Sequence, residues 1–376
     1  MPAQPLRPDI RTHFATLEDP RTKKCDHQLE DIIAITLMAS ICGADTWTDI
    51  AAFGRSKQDW LKTFLALPAG IPSHDTFGRV FALMNPARLQ ECFLSWVQAV
   101  HTATQGQVIA IDGKTARRSF RTKEPQSALH MVSAWACENQ LVLGQVATAE
   151  KSNEITAIPE LLKLLDIKGC LVTIDAMGCQ KKIVEQIKNA GGDYVIGLKG
   201  NQEKLHEQAA DLCQFLLREV HWPAQVVTSE RGHGRKEKRE YWLLDLPEEG
   251  APFLPEWPSC RSFGQVKATR TVDGKTTTET RYYISSLQGE PQRFAQAVRQ
   301  HWGIENSLHW CLDLSFREDE CRVRKDHGPA NLALLRRLTL SLLKQEQTNR
   351  CGIKNKRLCC GWNHDYLRKV LEGKRS

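Results

Sequence analysis

The sequence predicts an α/β protein. It calls for a mixed five-stranded sheet with helices on both faces, a mostly β insertion before the last acidic helix, and an α-helical N-terminal domain. Three observations predict it. Continuous, mostly β-branched apolar runs such as Val108-Ile109-Ala110-Ile111 read as strands covered on both faces. Beyond the first three of these runs, strands alternate with stretches of helical period. The first hundred residues carry helical spacing alone.

The N-terminal helices come first. Asp26 to Ala39 places Leu29, Ile32, Ile33, Ile35, Leu37 and Met38 at roughly helical intervals, and Gly43 follows. Thr48 to Leu67 repeats the pattern through Ile50, Phe53, Trp60, Leu61 and Phe64, until Pro68, Gly70 and Pro72. A third helix starts at Ser73 or His74 and stops at Asn85-Pro86; a fourth runs from Ala87 to His101. Short helices joined by tight turns resemble a helix-turn-helix array, although most such bundles are scaffolds.

The sheet follows. Val108–Ile111 ends at Asp112-Gly113. Leu129–Cys137 and Leu141–Thr148, separated by Glu138-Asn139-Gln140, read as a hairpin. Ile155–Leu165 is an amphipathic helix, Cys170–Ile174 a buried strand ending at Asp175, Cys179–Ala190 a helix, and Tyr194–Leu198 a fifth strand. Three antiparallel strands followed by βα units are the order of the ribonuclease H-like fold. Its first and fourth strands are neighbours, so Asp112 and Asp175 are expected side by side. From about residue 205 to 290 the rhythm turns to alternating runs, with Val272-Asp273-Gly274-Lys275 as a hairpin turn. Gln292–Leu312 and Pro329–Lys344 are long helical patterns, the second with Leu332, Leu335, Leu338, Leu342 and Leu343 on one face. The expected domains are 1–104, 105–345 with its insertion at about 205–290, and a basic tail, 346–376.

Composition limits the function. The 376 residues suit two or three domains. Thirteen cysteines, scattered and without a C-x-x-C pair, read as free thiols of a reducing, cytoplasmic compartment. The N-terminal MPAQPLRPDI lacks the apolar core of a signal peptide, and the longest apolar run is too short to span a bilayer. The net charge of +7 is modest but unevenly placed: Arg317–Ser376 holds 15 basic and 7 acidic residues, leaving the rest of the chain near neutral. Such a basic segment is either a solvated helical tail or an arm for phosphates.

Asp-Gly is a common turn dipeptide, and Asp175 could simply cap a helix. The pair says more. Two carboxylates ending adjacent strands repel unless a cation lies between them, and an all-oxygen set suits Mg²⁺ or Mn²⁺. A third acid would complete a site for two ions acting on phosphodiesters, by water-driven cleavage or by attack of a DNA 3′-hydroxyl. Glu305 in His301–Asn306 is the first candidate, expected at the edge of a buried face; His309 and Asp313 could support or replace it. Glu318 and Asp319 are weaker rivals. Basic and amide residues surround the acids: Lys114, Arg117, Arg118 and Arg121 after Asp112, Lys199, Asn201 and Gln202 after the fifth strand, and His233 and Arg235 in the insertion. Charge runs are usually solvated surface, but this placement favours DNA contact. Neither a P-loop nor a G-x-G-x-x-G pattern is present, which disfavours nucleotide hydrolysis.

The segments VIAIDGKT, LHMVSAWACENQLVLGQV, EKSNEITAIPELL, VTIDAMGCQK, GGDYVIGLKGNQ, GHGRKEKREYW, RYYISSL and HWGIENSLHWCLDLSFREDECRVRK carry a wider resemblance. The chain resembles the ISAs-type insertion-sequence transposases, which include the H-repeat-associated proteins, from about Leu17 to Leu371. The resemblance implies a DDE transposase with two divalent metals, which cuts element ends and joins them to target DNA as a homodimer or larger assembly. It puts the acids at Asp112, Asp175 and, through the W-x-I-E helix, Glu305. Relatives often carry a basic residue seven positions after that Glu; here it is Leu312. The competing expectations are an inactive or domesticated DNA-binding relic and a metal nuclease that transfers nothing.

Overall fold

The computed structural model describes residues 10–22, 25–100, 107–119, 128–148, 154–232, 234–247, 254, 257 and 259–372. The chain forms two compact units. One comprises residues 103–112 and 152–304; the other comprises 1–102, 113–151 and 305–376. This grouping differs from the three sequence domains, because the C-terminal segment is grouped with the N-terminal helices.

Among the described residues, nine strands share one sheet: β1 Val108–Thr115, β2 His130–Ala136, β3 Leu141–Thr148, β4 Leu171–Ile174, β5 Asp193–Leu198, β6 Val226–Gly232, β7 Arg235–Asp245, β8 Ser262–Val272 and β9 Lys275–Ser285. Their order is β3-β2-β1-β4-β5-β9-β8-β7-β6. The first five stand in the expected order. The expected count of five is corrected to nine, since the insertion is no separate layer: β9 pairs antiparallel with β5, from Val195↔Ser285 to Leu198↔Tyr282. An exposed edge on β5 would leave a row of unpaired backbone groups, and the insertion satisfies it.

In the unit of 103–112 and 152–304, β1 and β4 are parallel, in register from Val108↔Leu171 to Ile111↔Ile174, and β4 and β5 are also parallel. All four residues of β4 and the first four of β1 are buried, as continuous apolar runs require. Helix Lys181–Asn189 packs on β5, helix Glu203–Glu219 on β8 and β9, and helix Pro291–His301 on β4, β5 and β7. Phe294 lies so close to β8 that a Cβ on Gly264 would stand 2.3 Å from its ring. The turn between β8 and β9 has Asp273 and Gly274 both at positive φ, 49° and 77°, as a two-residue type I′ hairpin demands. Toward their turns the strands β6–β9 become exposed, β9 along Lys275–Thr280 without interruption.

The other unit is built around helix Gly328–Gln345. It packs on helices Leu29–Ile41, His74–Leu83 and Pro86–Val100, on β3, and on the C-terminal helices Ile353–Trp362 and His364–Glu372. The leucine stripe expected on one face is in fact part of a helix buried almost all round, including Arg336 and Arg337. Arg337 survives burial because Glu318 lies 3.0 Å from it and Ser133 accepts at 3.2 Å. In the N-terminal array, Ser73 caps its helix as expected and Thr46 and Asp49 form a capping box, but the helix read from Thr48 to Leu67 breaks at Lys57.

The C-terminal segment is no loose basic arm. Arg357 is buried, donating to the carbonyl of Ser40 and the carboxylate of Asp45, both at 2.9 Å, and lying over the Phe316 ring. Lys356 is buried against the Leu343 carbonyl, and Trp60 stacks on His364. Several of the charges that made the tail basic are therefore structural. Among the described residues, no helix is long and apolar enough to cross a membrane.

Candidate active site

Asp112 and Asp175 each follow the last pair in the β1–β4 register, Ile111↔Ile174. Parallel neighbours lie about 4.8 Å apart, so the two carboxylates start from adjacent positions. One detail differs from the sequence reading: β4 ends at Ile174, whereas β1 continues past Asp112 to Thr115. Asp175 also caps a short 3₁₀ turn, Ala176–Gly178, its carboxylate accepting from the Met177 N–H at 3.0 Å. Capping and a place beside Asp112 are compatible, since a carboxylate has two oxygens and several lone pairs.

Asp175 is half-buried, and burial pushes its pKa up. The charge of Glu154 pushes it further, while the Met177 and Gly178 amides and the Lys199 ammonium pull it back. Glu154 escaped the sequence reading. It heads helix Glu154–Lys163 with only 4% of its surface exposed. An acid in a first helical turn usually signals a solvated N-terminus, and the apolar run behind it was the only available hint of burial. Three carboxylates, Asp112, Asp175 and Glu154, thus belong to one compact unit. An all-oxygen set with a carboxylate pushed toward protonation fits a hard divalent cation. Among the described residues, however, no three His, Cys, Asp or Glu side chains already stand arranged as a metal cage.

The turn after Asp175 is held from the loop that follows β5. Asn201 donates through Nδ2 to the Ala176 carbonyl at 2.6 Å, and Gln202 through Nε2 to the Cys179 carbonyl at 2.9 Å. Gly197 of β5 passes so close that a Cβ there would meet the Ala176 nitrogen at 3.2 Å. Both amides, expected to contact DNA, thus each give one donor to the backbone of the turn. Lys199 is exposed.

Glu305 lies in the other unit and is exposed, beside the buried Ile304 and Leu308. It opens a single π-helical turn, Glu305–His309, between helix Pro291–His301 and helix Trp310–Leu314. Such turns insert a residue into a helix and often mark functional positions. His309 closes the turn. Asp313, which could support or replace Glu305, faces Lys114: the ammonium lies 2.6 Å from Asp313 and 3.6 Å from Asp319. Lys114 is only 8% exposed and lies in this ion pair. Burial raises the Asp313 pKa, and Lys114 opposes it. Arg117 is 81% exposed, with Asp319 at 3.3 Å. Arg235 is exposed beside Glu237. His233 and Arg121 lie outside the described residues.

Comparison with known proteins decides the family. Residues 103–342 match the Transposase DDE domain model, and residues 11–97 match the DDE_Tnp_1-associated model. The chain belongs to the DDE transposase family. The H repeat-associated protein YhhI of Escherichia coli K12 is 39% identical over 97% of this chain and 98% of its own. YbfL of the same strain gives the same identity and coverage. The relative named inactive transposase YbfQ, also from that strain, is 46% identical over 19% of this chain and 86% of its own. A piggyBac transposase synaptic complex with hairpin DNA reaches a TM-score of only 0.43 at 10% identity, over 97% of this chain and 78% of that chain, too low to carry weight. DDE transposases generally use divalent metal ions. The Asp112–Asp175 pair offers this member of the family oxygen ligands of the kind such ions need.

Proposed function

We propose that this DDE transposase cuts the ends of its element and joins them to target DNA, with Asp112, Asp175 and Glu305 as the acids that hold two Mg²⁺ or Mn²⁺ ions. The observation that carries the reading is the in-register pairing of β1 with β4, which sets Asp112 beside Asp175. Glu305 rests on the W-x-I-E resemblance and on the π turn it opens. When bound, divalent ions supply Lewis-acid activation of the attacking hydroxyl and stabilise the departing 3′-oxygen.

The chain's own residues do the rest. Asp112 and Asp175 present acceptor oxygens, and the Met177 amide holds Asp175 in orientation. Lys199, Arg117 and Arg235 are exposed cations suited to phosphates, which bind chiefly by charge. In the strands β6–β9, exposed toward their turns, Arg231, Lys236, Lys267, Arg270 and Lys275 are exposed cations as well. Two element ends must be brought together, so the active assembly is a homodimer or larger, in the bacterial cytosol or on the nucleoid.

A second reading has its own support: the resemblance to an inactive relative makes a DNA-binding relic the alternative. A labelled terminal repeat, Mg²⁺ and a target plasmid separate the readings. Joined product is expected. Cut ends without joining point to a nuclease, and binding without cutting points to a relic.

A further inference from the structure

We propose that Asn201 and Gln202 are positioning residues for Asp175, fixing the carboxylate through the backbone turn that follows it. The inference rests on the reading of Asp175 as a metal-holding acid and extends it to the loop after β5.

The turn Ala176–Gly178 has little of its own to hold it. It is a single 3₁₀ turn of three residues between β4 and helix Lys181–Asn189, too short for cooperative helical stability. Its conformation sets where Asp175 points, because the Asp175 carboxylate bonds to the Met177 amide and the Asp175 carbonyl accepts from Gly178 at 3.1 Å. The two side-chain amides grip it at both ends. Asn201 donates to the Ala176 carbonyl, one residue past the acid, and Gln202 donates to the Cys179 carbonyl, one residue past the turn. Gly197 permits the grip by letting β5 approach the turn at van der Waals distance. The Lys199 carbonyl accepts from the Gln202 N–H at 3.0 Å, so the gripping loop is itself closed on β5. Each amide nitrogen gives one of its two N–H groups to a carbonyl of the turn and keeps the other.

The test uses the full-length protein and compares Asn201→Ala, Gln202→Ala and Asp175→Asn with the wild type. Three quantities are read: affinity for a labelled element end without metal, cleavage rate at saturating protein in Mn²⁺, and amide hydrogen exchange of Met177 and Gly178 in metal-free protein. The expected result for Asn201→Ala and Gln202→Ala is unchanged end affinity, faster exchange at Met177 and Gly178, and cleavage slower by about 10- to 100-fold, the scale of an ångström's misplacement. The Mn²⁺ concentration giving half-maximal cleavage is expected to rise, which a general loss of fold would not produce. Asn201→Gln, which keeps a donor, is expected to recover part of the rate. Weakened end binding with normal cleavage of saturated complexes would assign the residues to DNA and overturn the proposal. So would unchanged exchange and cleavage alongside an inactive Asp175→Asn. If Asp175→Asn itself cut normally, the failure would lie with the active-site reading instead.

Discussion

At the scale of single residues, burial decides which charged groups are available for chemistry. Lys114 and Asp313 looked like surface functional residues in the sequence, and they neutralise one another. Glu154 looked like surface and is buried. Neither outcome is legible locally, because a side chain's fate depends on elements far away in the chain. His301 shows the same effect with a measurable consequence. Its Nδ1 lies 3.1 Å from Thr173 Oγ1, and burial pushes its pKa from 6.5 down to about 4. The unfolded chain therefore takes up the proton first, and stability falls as pH drops from about 6.5 to about 4, then levels off. The loss is at most roughly 3 kcal/mol. Chemical denaturation of wild type and His301→Gln across this range should show a steeper fall in the wild type; equal slopes would refute the assignment.

At the scale of elements, the strands were the most legible part. Continuous β-branched runs need cover on both faces, and β1, β4 and β5 found it. The adjacency of Asp112 and Asp175 followed from the order of those runs. Hidden from the sequence was how the insertion would meet the core, since strand pairing joins partners remote in sequence and alternating runs do not name their neighbour. Gly264 records one such meeting. Phe294 is fully buried and packs edge-on against Tyr241 and Tyr283, so its ring cannot yield to a new methyl group. Gly264→Ala is expected to destabilise by about 1–3 kcal/mol, measured by denaturant unfolding. Combining it with Phe294→Leu should recover part of the loss. An undisturbed Gly264→Ala would show that the helix packs less tightly on β8.

At the scale of the whole molecule, the uneven charge acquires two meanings. The C-terminal excess reads in the sequence as one basic tail, because charge counts ignore burial. In the fold, Arg337, Lys356 and Arg357 hold the unit of N- and C-terminal helices together. Arg357→Ala is expected to cost roughly 3 kcal/mol by stranding Asp45 and the Ser40 carbonyl, and thermal melting would show it. Truncation after Lys344 should for the same reason damage folding as well as any end binding. Under the proposed function the exposed cations serve DNA. If roughly six to ten phosphates are contacted, end affinity should fall by about 10³ to 10⁵ between about 50 and 200 mM salt, and a flat profile would exclude the charged surface as the interface.

The central claim is that Asp112 and Asp175, brought together by β1 and β4, make this chain cut DNA. Cleavage of a labelled element end in Mg²⁺, with Asp112→Ala and Asp175→Ala beside the wild type, tests it most directly. The account predicts that all three proteins bind the end and that only the wild type cuts it, with cutting abolished by chelator. Cutting by either variant at the wild-type rate would contradict it.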